Sequence, residues 1–533
     1  MSDRLARSAG LIGLATLASR ILGLVRDQVQ ALYFGTSAAA DAFNVATRIP
    51  TLLRDLFAEG AMSAAFVPTF TRYLNRNGKE SAWRLGSQTI NGLIVITGVI
   101  VVLGVLFAGP LVSLYAQGYR DAEDADKLRL TILLTRVNMP FLTLVAVAAA
   151  MMGMLNGLRR FFVPALSPAL YNVMFIISTA TLTPLFIAAG IEPTMALSVC
   201  MLSGGLAQVL VQWPTLRREG YQHQWILDPK DKGFREILVL MGPGAIGAAA
   251  AQINLLVNTI LATSNATGAV TGLNFAFRLM YMPIGIFSVS VATAAVPELA
   301  RAASDRDFVR MQSTISWGLR LMLMLSVPAT VGLMVLAEPI VRLIFEYGAF
   351  NADSSFIVAA ALLFYAPGII GYSVVKIGTP AFYSLQDPKT PIQISMVSVG
   401  TNLVLSLVLN SVMGYQGLAL STGISANVNA VLLLWLLSKR IGGIDGRRVG
   451  VALTKIALAS AVMGLAVHFA DRYFETAFTG TMGTAVWGRV AERMIGVGAG
   501  IGVGLGSLAL AAWALGIEEF RLAFERVRAK IRR

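Results

Sequence analysis

The sequence predicts an all-α polytopic membrane protein with 14 transmembrane helices, built as two homologous six-helix bundles plus two extra carboxy-terminal helices. Composition is the first ground: 56% of the residues are hydrophobic and only 14% charged, against about 25% charged in a soluble domain. The second is a set of unbroken apolar runs, Gly92 to Phe107, Val173 to Ala189, Val451 to Phe469 and Met494 to Leu515. About 20 such residues cross a hydrocarbon core of about 30 Å. Runs of this kind exclude a β-barrel, whose strands alternate apolar and polar over about 10 residues. The third ground is an internal repeat.

In chain order, Arg4 and Arg7 precede helix 1 (8–33), and the short link Thr36 to Ala38 leads into helix 2 (38–74). Arg72, Arg76, Lys79 and Arg84 mark the turn into helix 3 (84–116), and the acidic loop of Asp121, Glu123, Asp124 and Asp126 precedes helix 4 (127–156). Arg159 and Arg160 introduce helix 5 (161–189), Glu192 introduces helix 6 (193–217), and Arg217, Arg218, Lys230 and Lys232 lead to helix 7 (235–264). Ser264 to Thr267 joins it to helix 8 (268–301), and Arg301, Arg306 and Arg310 open helix 9 (307–337). Asp353 begins helix 10 (353–385), Lys389 helix 11 (389–412), and Gly414 with Tyr415 helix 12 (415–439). Lys439, Arg440, Arg447 and Arg448 precede helix 13 (448–472), and helix 14 (487–514) runs into a basic tail, Arg521 to Arg533. Several spans exceed the membrane thickness, so those helices tilt, bend or project into water.

Cations fall on alternate loops, so by the positive-inside rule both termini are cytoplasmic, which an even helix count requires. That sorting also accounts for the net charge of +14, and no nucleic-acid partner is expected. The tail reads first as a topology anchor; the alternative is attraction to anionic lipid headgroups at about 1 kcal/mol per cation. The first apolar run continues past Arg20 with no small-residue cleavage site, so no cleaved signal peptide is expected.

The segment Ala108-Gly109-Pro110-Leu111-Val112-Ser113-Leu114 recurs as Ala337-Glu338-Pro339-Ile340-Val341-Arg342-Leu343, and Val67-Pro68 with Arg72 recurs as Val296-Pro297 with Arg301, at one constant offset. Helices 1–6 and 7–12 are therefore two homologous halves of the same orientation, and 13 and 14 an appendage. The expected division is 1–218, 219–440, 441–515 for helices 13 and 14, and 516–533 for the cytoplasmic tail. A duplication of this kind predicts a transporter that works by alternating access, with substrate near the midplane.

Ionisable residues inside apolar helices are costly and mark functional sites. The stretch Ser19-Arg20-Ile21-Leu22-Gly23-Leu24-Val25-Arg26-Asp27 puts Arg20 about 18 Å and Arg26 about 27 Å along helix 1 at 1.5 Å per residue, and Arg278 about 15 Å down helix 8. Arg20 and Arg26 lie about 120° apart around the axis, so a bend or local unwinding at Gly23 is expected to bring them together. Guanidinium groups stay charged when desolvated and meet phosphate oxygens bidentately. Arg20, Arg26, Arg54 and Arg278, with Ser19, therefore form the candidate substrate-binding set for a phosphate or diphosphate. The alternative is internal pairing, Arg26 with Asp27 or Asp41 and Arg54 with Asp55 or Glu59. Asp27, Asp41 and Glu59 are expected as ion-pair partners or gate latches, and a proton-coupling role for them stays open. Arg48 and Lys376 are auxiliary cations, Lys376 either extending the positive surface or snorkelling.

No catalytic machinery is expected: there is no Walker A, Gly-x-Ser-x-Gly or His-Glu-x-x-His motif, which disfavours ATP-driven transport by this chain and covalent hydrolysis. Cys200 can form no internal disulfide and reads as a small buried hydrophobe, while His223 and His468 offer no metal-ligand cluster. The chain is read as a transporter and not an enzyme, without a cofactor or metal, driven by the membrane potential or a cation gradient.

The residues Ser19-Arg20-Ile21-Leu22-Gly23, Arg26-Asp27, Phe34-Gly35, Asp41-Ala42-Phe43, Arg48-Ile49-Pro50, Leu53-Arg54, Phe57-Ala58-Glu59-Gly60-Ala61 and Ala65-Phe66-Val67-Pro68 resemble the MurJ (MviN) lipid II flippase family. The resemblance continues in Ala276-Phe277-Arg278 with Pro283 and Gly285, in Phe382-Tyr383-Ser384 with Asp387 and Lys389-Thr390-Pro391, and in Gly417-Leu418-Ala419. That family belongs to the multidrug, oligosaccharidyl-lipid and polysaccharide exporter superfamily. The resemblance implies export of the undecaprenyl-diphosphate-linked peptidoglycan precursor, lipid II, across the bacterial inner membrane for cell wall biogenesis and cell shape. It implies a cationic central cavity using arginines matched by Arg20, Arg26 and Arg278, with Arg54 and Glu59 on helix 2, and a groove for the polyprenyl tail at helices 13 and 14. Expected partners are lipid II, membrane lipids and the cell-wall synthesis machinery, with the chain a monomer.

Two departures stand out. Some members carry acids just before and three residues after the helix 8 arginine, where this chain has Phe277 and Tyr281. Others have carboxylates for sodium on helices 7 and 11, where the nearest polar positions are Asn258, Asn402 and Ser406. Neutral ligands alone bind sodium weakly, whereas one charge crossing 100 mV yields about 2.3 kcal/mol. The competing functions are a cation-coupled multidrug exporter or an exporter of another polyprenyl-linked oligosaccharide in the same superfamily, and a non-transporting scaffold for cell-wall assembly.

Overall fold

The computed structural model describes residues 2–56, 62–478 and 486–521. Among them no strand occurs and helices dominate. The elements are α1 (Ser2–Phe34), α2 (Ala38–Ala46), α3 (Arg48–Arg54), α4 (Met62–Leu106), α5 (Ala108–Tyr115), α6 (Ala125–Asn138), α7 (Phe141–Gly157), α8 (Phe162–Ala188), α9 (Thr194–Arg218) and α10 (Lys232–Thr263). They continue as α11 (Ala269–Pro283), α12 (Val289–Ser304), α13 (Phe308–Val335), α14 (Ala337–Phe345), α15 (Ala352–Tyr365), α16 (Gly368–Ser384), α17 (Lys389–Met413), α18 (Tyr415–Ile441), α19 (Gly446–Phe478) and α20 (Val486–Ala514). Among the described residues, ten helices are long and apolar enough to cross a membrane, and α15 with α16, bent by 48°, make an eleventh.

Several expected continuous helices are interrupted, and the sequence explains where. Pro140 and Pro367 lack the N–H that would bond four residues back, and α6 gives way to α7, and α15 to α16, at those residues. The repeated Ala-x-Pro motif does the same twice. Pro110 and Pro339 stand in the first turn of α5 and α14, where the missing donor would have no helical partner. The chain accordingly leaves helical geometry at Phe107 (φ −97°, ψ 17°) and Leu336 (φ −97°, ψ 18°) and restarts as α5 and α14. A π-helical turn stands at 55–56 and another at Ile284–Ser288. Gly78, with φ 81°, makes the kink within α4 that the basic turn was expected to make.

The chain folds as two compact units, Met1–Thr271 with Tyr347–Phe350, and Gly272–Glu346 with Asn351–Arg533. In the first, an aromatic chain runs from Phe66 to Phe70, Trp83 and Tyr221 with ring centroids 5.3–5.9 Å apart. Cys200 is buried there, with the Thr179 hydroxyl 3.5 Å from its sulfur. The link after α9 is strapped to α4: Asn91 Nδ2 donates to the carbonyls of Gln224 (2.8 Å) and Ile226 (2.9 Å), and Gln88 Nε2 to that of Asp228. Tyr347–Phe350 joins this unit through the Ala349 N–H, which donates to the Leu32 carbonyl (2.8 Å). Gly35 and Gly348 flank that contact with φ 53° and 61°, a left-handed conformation natural to glycine.

In the second unit, α16 and α18 meet so closely that a Cβ on Gly371 would lie 2.5 Å from the Ala426 carbonyl oxygen. Arg320 on α13 is nearly buried and pairs with Glu518 (3.1 Å) and Glu519, while Arg448 also holds Glu518 (2.9 Å). These bonds fasten the segment after α20 to α13 and α19.

Candidate functional site

A cavity of about 260 Å³ lies within the first unit. Three helices supply most of its wall through residues at helical spacing. α7 presents Ala148 and Ala149, whose small side chains leave the space open, flanked by Val145 and Met152. α8 contributes Ser167, Tyr171 and Asn172, and α9 contributes Gln208 and Gln212. Arg26 from α1 and Arg54 from α3 complete it.

Both arginines are half-buried and paired with the acid that follows them in sequence. Arg26 Nε and Nη2 donate to Asp27 Oδ1 (3.1 and 3.0 Å), and Nη1 donates to Asn172 Oδ1 (3.1 Å). Asn172 Nδ2 donates in turn to the Ser19 carbonyl (3.0 Å). The Arg26 guanidinium also lies 5.9 and 5.7 Å from the ring centres of Tyr171 and Phe175, within cation–π range. Arg54 Nε and Nη2 donate to Asp55 Oδ1 (2.8 and 2.6 Å), while Gln252 Nε2 donates to Asp55 Oδ2 (3.0 Å). A guanidinium carries five N–H groups, so each arginine keeps donors without a partner among the described residues. Pairing and exposure to the cavity therefore coexist. The carboxylates orient the guanidinium groups and offset their charge, and the remaining donors suit an anionic ligand.

The other expected residues are placed elsewhere. α1 runs unbroken through Gly23, so the local unwinding expected there does not occur. Asn172 occupies the space beside it instead, its Nδ2 3.7 Å from where a Cβ would stand. Arg20, on another face of α1, is exposed, does not line the cavity and has no ion pair among the described residues. Ser19 contributes its carbonyl. Arg278 is exposed on α11 in the second unit. Beside it the departures from the family pattern build an aromatic cluster, with Phe277 5.8 Å from Tyr281 and 5.6 Å from Tyr365, and Tyr281 6.1 Å from Tyr372. Arg48 Nε donates to the Thr259 hydroxyl (2.9 Å). Lys376 is half-buried on α16. Glu59 lies outside the described residues. Asn258 is on α10, and Asn402 and Ser406 are buried on α17, where Ser406 Oγ lies 2.7 Å from Ser421 Oγ. Among the described residues no cluster of three His, Cys, Asp or Glu side chains is placed to hold a metal ion.

Asp41 is 1% exposed and forms a separate node. Its Oδ2 accepts from the Gly268 N–H (2.7 Å) and Lys127 Nζ (3.3 Å), and its Oδ1 from the Thr271 N–H (2.9 Å) and hydroxyl (2.7 Å). Lys127 Nζ rests 4.2 Å from the Tyr119 ring centre. Asp41 thus fastens α2 to the start of α11.

Sequence reasoning missed Lys127, which stands at the end of an acidic loop and reads as a helix boundary, and also Asn172, Gln208 and Gln212. Uncharged amides in an apolar helix give a weak signal; the spacing of Gln208 and Gln212 on one helical face is the one trace of it.

A family model described as lipid II flippase MurJ matches residues 30–486. A probable lipid II flippase MurJ of Vibrio cholerae is 34% identical over 468 residues, covering 87% of this chain and 88% of that protein. The lipid II flippase MurJ of Burkholderia cenocepacia is 34% identical over 430 residues, covering 80% and 82%. A solved structure of lipid II flippase MurJ in an inward closed conformation matches with a TM-score of 0.75 at 26% identity, over 95% of this chain and 99% of that one. An inward-facing MATE-family multidrug transporter shares the fold, with a TM-score of 0.66 at 14% identity over 81% and 99%.

Proposed function

The chain belongs to the MurJ family of lipid II flippases, and from that membership we propose that it moves lipid II from the inner to the outer leaflet of the bacterial inner membrane. It is a transporter in peptidoglycan biosynthesis and not an enzyme. The observation that carries the site assignment is the cavity lined by Arg26 and Arg54, whose spare N–H groups suit the diphosphate. Arg20, Ser19 and Arg278 contact the diphosphate at other stages of an alternating-access cycle, Asp41 and Asp27 latch it, and Arg48 and Lys376 add to the positive surface. The chain crosses the membrane fourteen times with both termini cytoplasmic, helices 13 and 14 receive the polyprenyl tail, and it works as a monomer beside the cell-wall synthesis machinery. The membrane potential or a cation gradient drives it; neutral Asn258, Asn402 and Ser406 favour the potential.

The test is depletion in cells with a probe for lipid II on the outer leaflet. Depletion is expected to leave lipid II on the inner leaflet, and complementation with Arg26→Ala or Arg278→Ala at normal expression is expected to fail. Normal outward display after depletion, with no substitute transporter present, rejects the reading. Full complementation by both alanine variants favours the scaffold.

A further inference from the structure

α9 and α18, the helices that close the two copies of the sequence repeat, end on one pattern: Trp213-Pro214-Thr215-Leu216-Arg217-Arg218 and Trp435-Leu436-Leu437-Ser438-Lys439-Arg440. In each, cations follow a tryptophan by four and five residues. A spacing of four sets ring and first cation on the same helical face, and in both helices the two meet. The Arg217 guanidinium lies 5.7 Å from the Trp213 ring centre and Lys439 Nζ 3.7 Å from that of Trp435, within cation–π range. The helix dipole favours cations in a last turn, which accounts for the charge but not for a ring laid against it twice.

These charges are also not spent on acids. Other cations near helix ends are paired, Arg72 with Glu236, Arg160 with Glu219, Arg310 with Glu298 and Arg448 with Glu518. Arg217 and Lys439 are exposed and have no carboxylate partner among the described residues. Glu219, close to Arg217 in sequence, is taken by Arg160 and Lys79. Of the second cations, Arg440 is partly offset by Asp387. An indole face attracts a cation without cancelling its charge and covers that side from water. A positive charge open on its other side remains, and an anion answers it.

The surface beside each pair says which anion. Both helices are apolar enough to cross a membrane. α9 exposes Leu206 and Leu210 in line with Trp213 and Arg217, and α18 exposes Val431 in line with Trp435 and Lys439, at the spacing of one helical face. An exposed apolar stripe that runs into a tryptophan and then a cation matches acyl chains, interface and headgroup in that order. We propose that each Trp–cation pair binds the phosphate of an anionic phospholipid in the leaflet bordering these helix ends, with the lipid's chains lying along the stripe. The chain then carries two such sites, one in each unit.

The experiment titrates the full-length protein, in a neutral detergent, with phosphatidylglycerol or with phosphatidylcholine of the same acyl chains and counts bound lipids by native mass spectrometry. The natural protein is expected to take up two phosphatidylglycerol molecules about tenfold more tightly than phosphatidylcholine. Arg217→Gln and Lys439→Gln are each expected to remove one of the two, Lys439→Arg to keep both, and Trp435→Leu to weaken one although the lysine remains. Arg301→Gln, which removes an exposed cation at the end of α12, is expected to keep both. Equal binding of the two lipids by the natural protein overturns the proposal whether or not any variant folds. It is overturned as well if Arg217→Gln and Lys439→Gln retain both lipids, if Trp435→Leu binds as the natural protein does, or if Arg301→Gln loses as much as they do, since net charge alone would then account for the binding.

Discussion

Arg26 shows why a charged side chain in a membrane helix need not choose between structure and ligand. Asp27 and Asn172 hold three of its N–H groups, which fixes the guanidinium plane before an anion arrives. Lysine at this position keeps the charge and loses the planar fork. Arg26→Lys is therefore expected to lower lipid II transport in reconstituted vesicles about tenfold, at unchanged expression. The Asp41–Lys127 pair makes a sharper case, since both side chains are buried. Asp41→Asn or Lys127→Met alone strands a buried charge and should cost about 3–5 kcal/mol. The double variant should recover most of that loss, because no charge is left unpaired. Thermal unfolding of the three variants in detergent checks the cycle. Arg26, Arg54 and Asp41 were legible in the sequence because a charge in an apolar run is energetically conspicuous. Gln212 was not, since an uncharged amide gives only a weak signal there.

At the scale of elements, the link after α9 depends on a relay. Ser87 Oγ donates to the Tyr221 hydroxyl (3.1 Å), which lies 2.9 Å from His223 Nδ1. The Tyr221 hydroxyl can donate only to a neutral imidazole nitrogen. Burial lowers the His223 pKa from its ordinary value, near 6.5. The folded link thus binds the proton less well than the unfolded chain does. Docking is full above about pH 6.5 and weakens as the pH falls below it. Hydrogen-exchange protection over 221–228, taken relative to the unfolded chain at the same pH, should fall on acidification in the natural sequence and stay constant in His223→Phe. The α16–α18 contact gives a steric counterpart. Gly371→Val drives a side chain into the Ala426 backbone and should abolish stable folding. Gly400→Ala, with nothing within 4 Å of the added Cβ, should be neutral or mildly stabilising, as read by thermal unfolding. The sequence located most helices, because long apolar runs have few alternatives in a membrane. It hid the interruptions at Phe107 and Leu336, although the Ala-x-Pro motif that causes them had been recognised as a repeat. A proline is as compatible with a kinked continuous helix as with a restart, and only the dihedrals of the preceding residue decide.

Across the whole molecule, the two units share backbone devices and differ in chemistry. Both carry the restart before Ala-x-Pro and a π-helical turn after their opening helices. The first unit, however, holds a cavity with arginines and amides, whereas the second groups Phe277, Tyr281, Tyr365 and Tyr372 beside Arg278. Phe277→Ala with Tyr281→Ala should therefore leave diphosphate binding by the first-unit cavity intact, measured with undecaprenyl diphosphate in nanodiscs. A parallel loss would reject the assignment of diphosphate recognition to the first-unit cavity. The repeat was readable because its motif dictates backbone geometry; the divergence was not, because it lies in which side chains gather.

The return of Tyr347–Phe350 to the first unit also sets a timetable for biogenesis. Leu32 must wait for Ala349 to supply the N–H that its carbonyl accepts. At about 5–20 residues per second, the ribosome needs from about a quarter of a minute to a minute to make the intervening chain. For the last part of that interval, from Thr271 to Ala349 and about 4–16 s long, the first unit is complete except for this one strap.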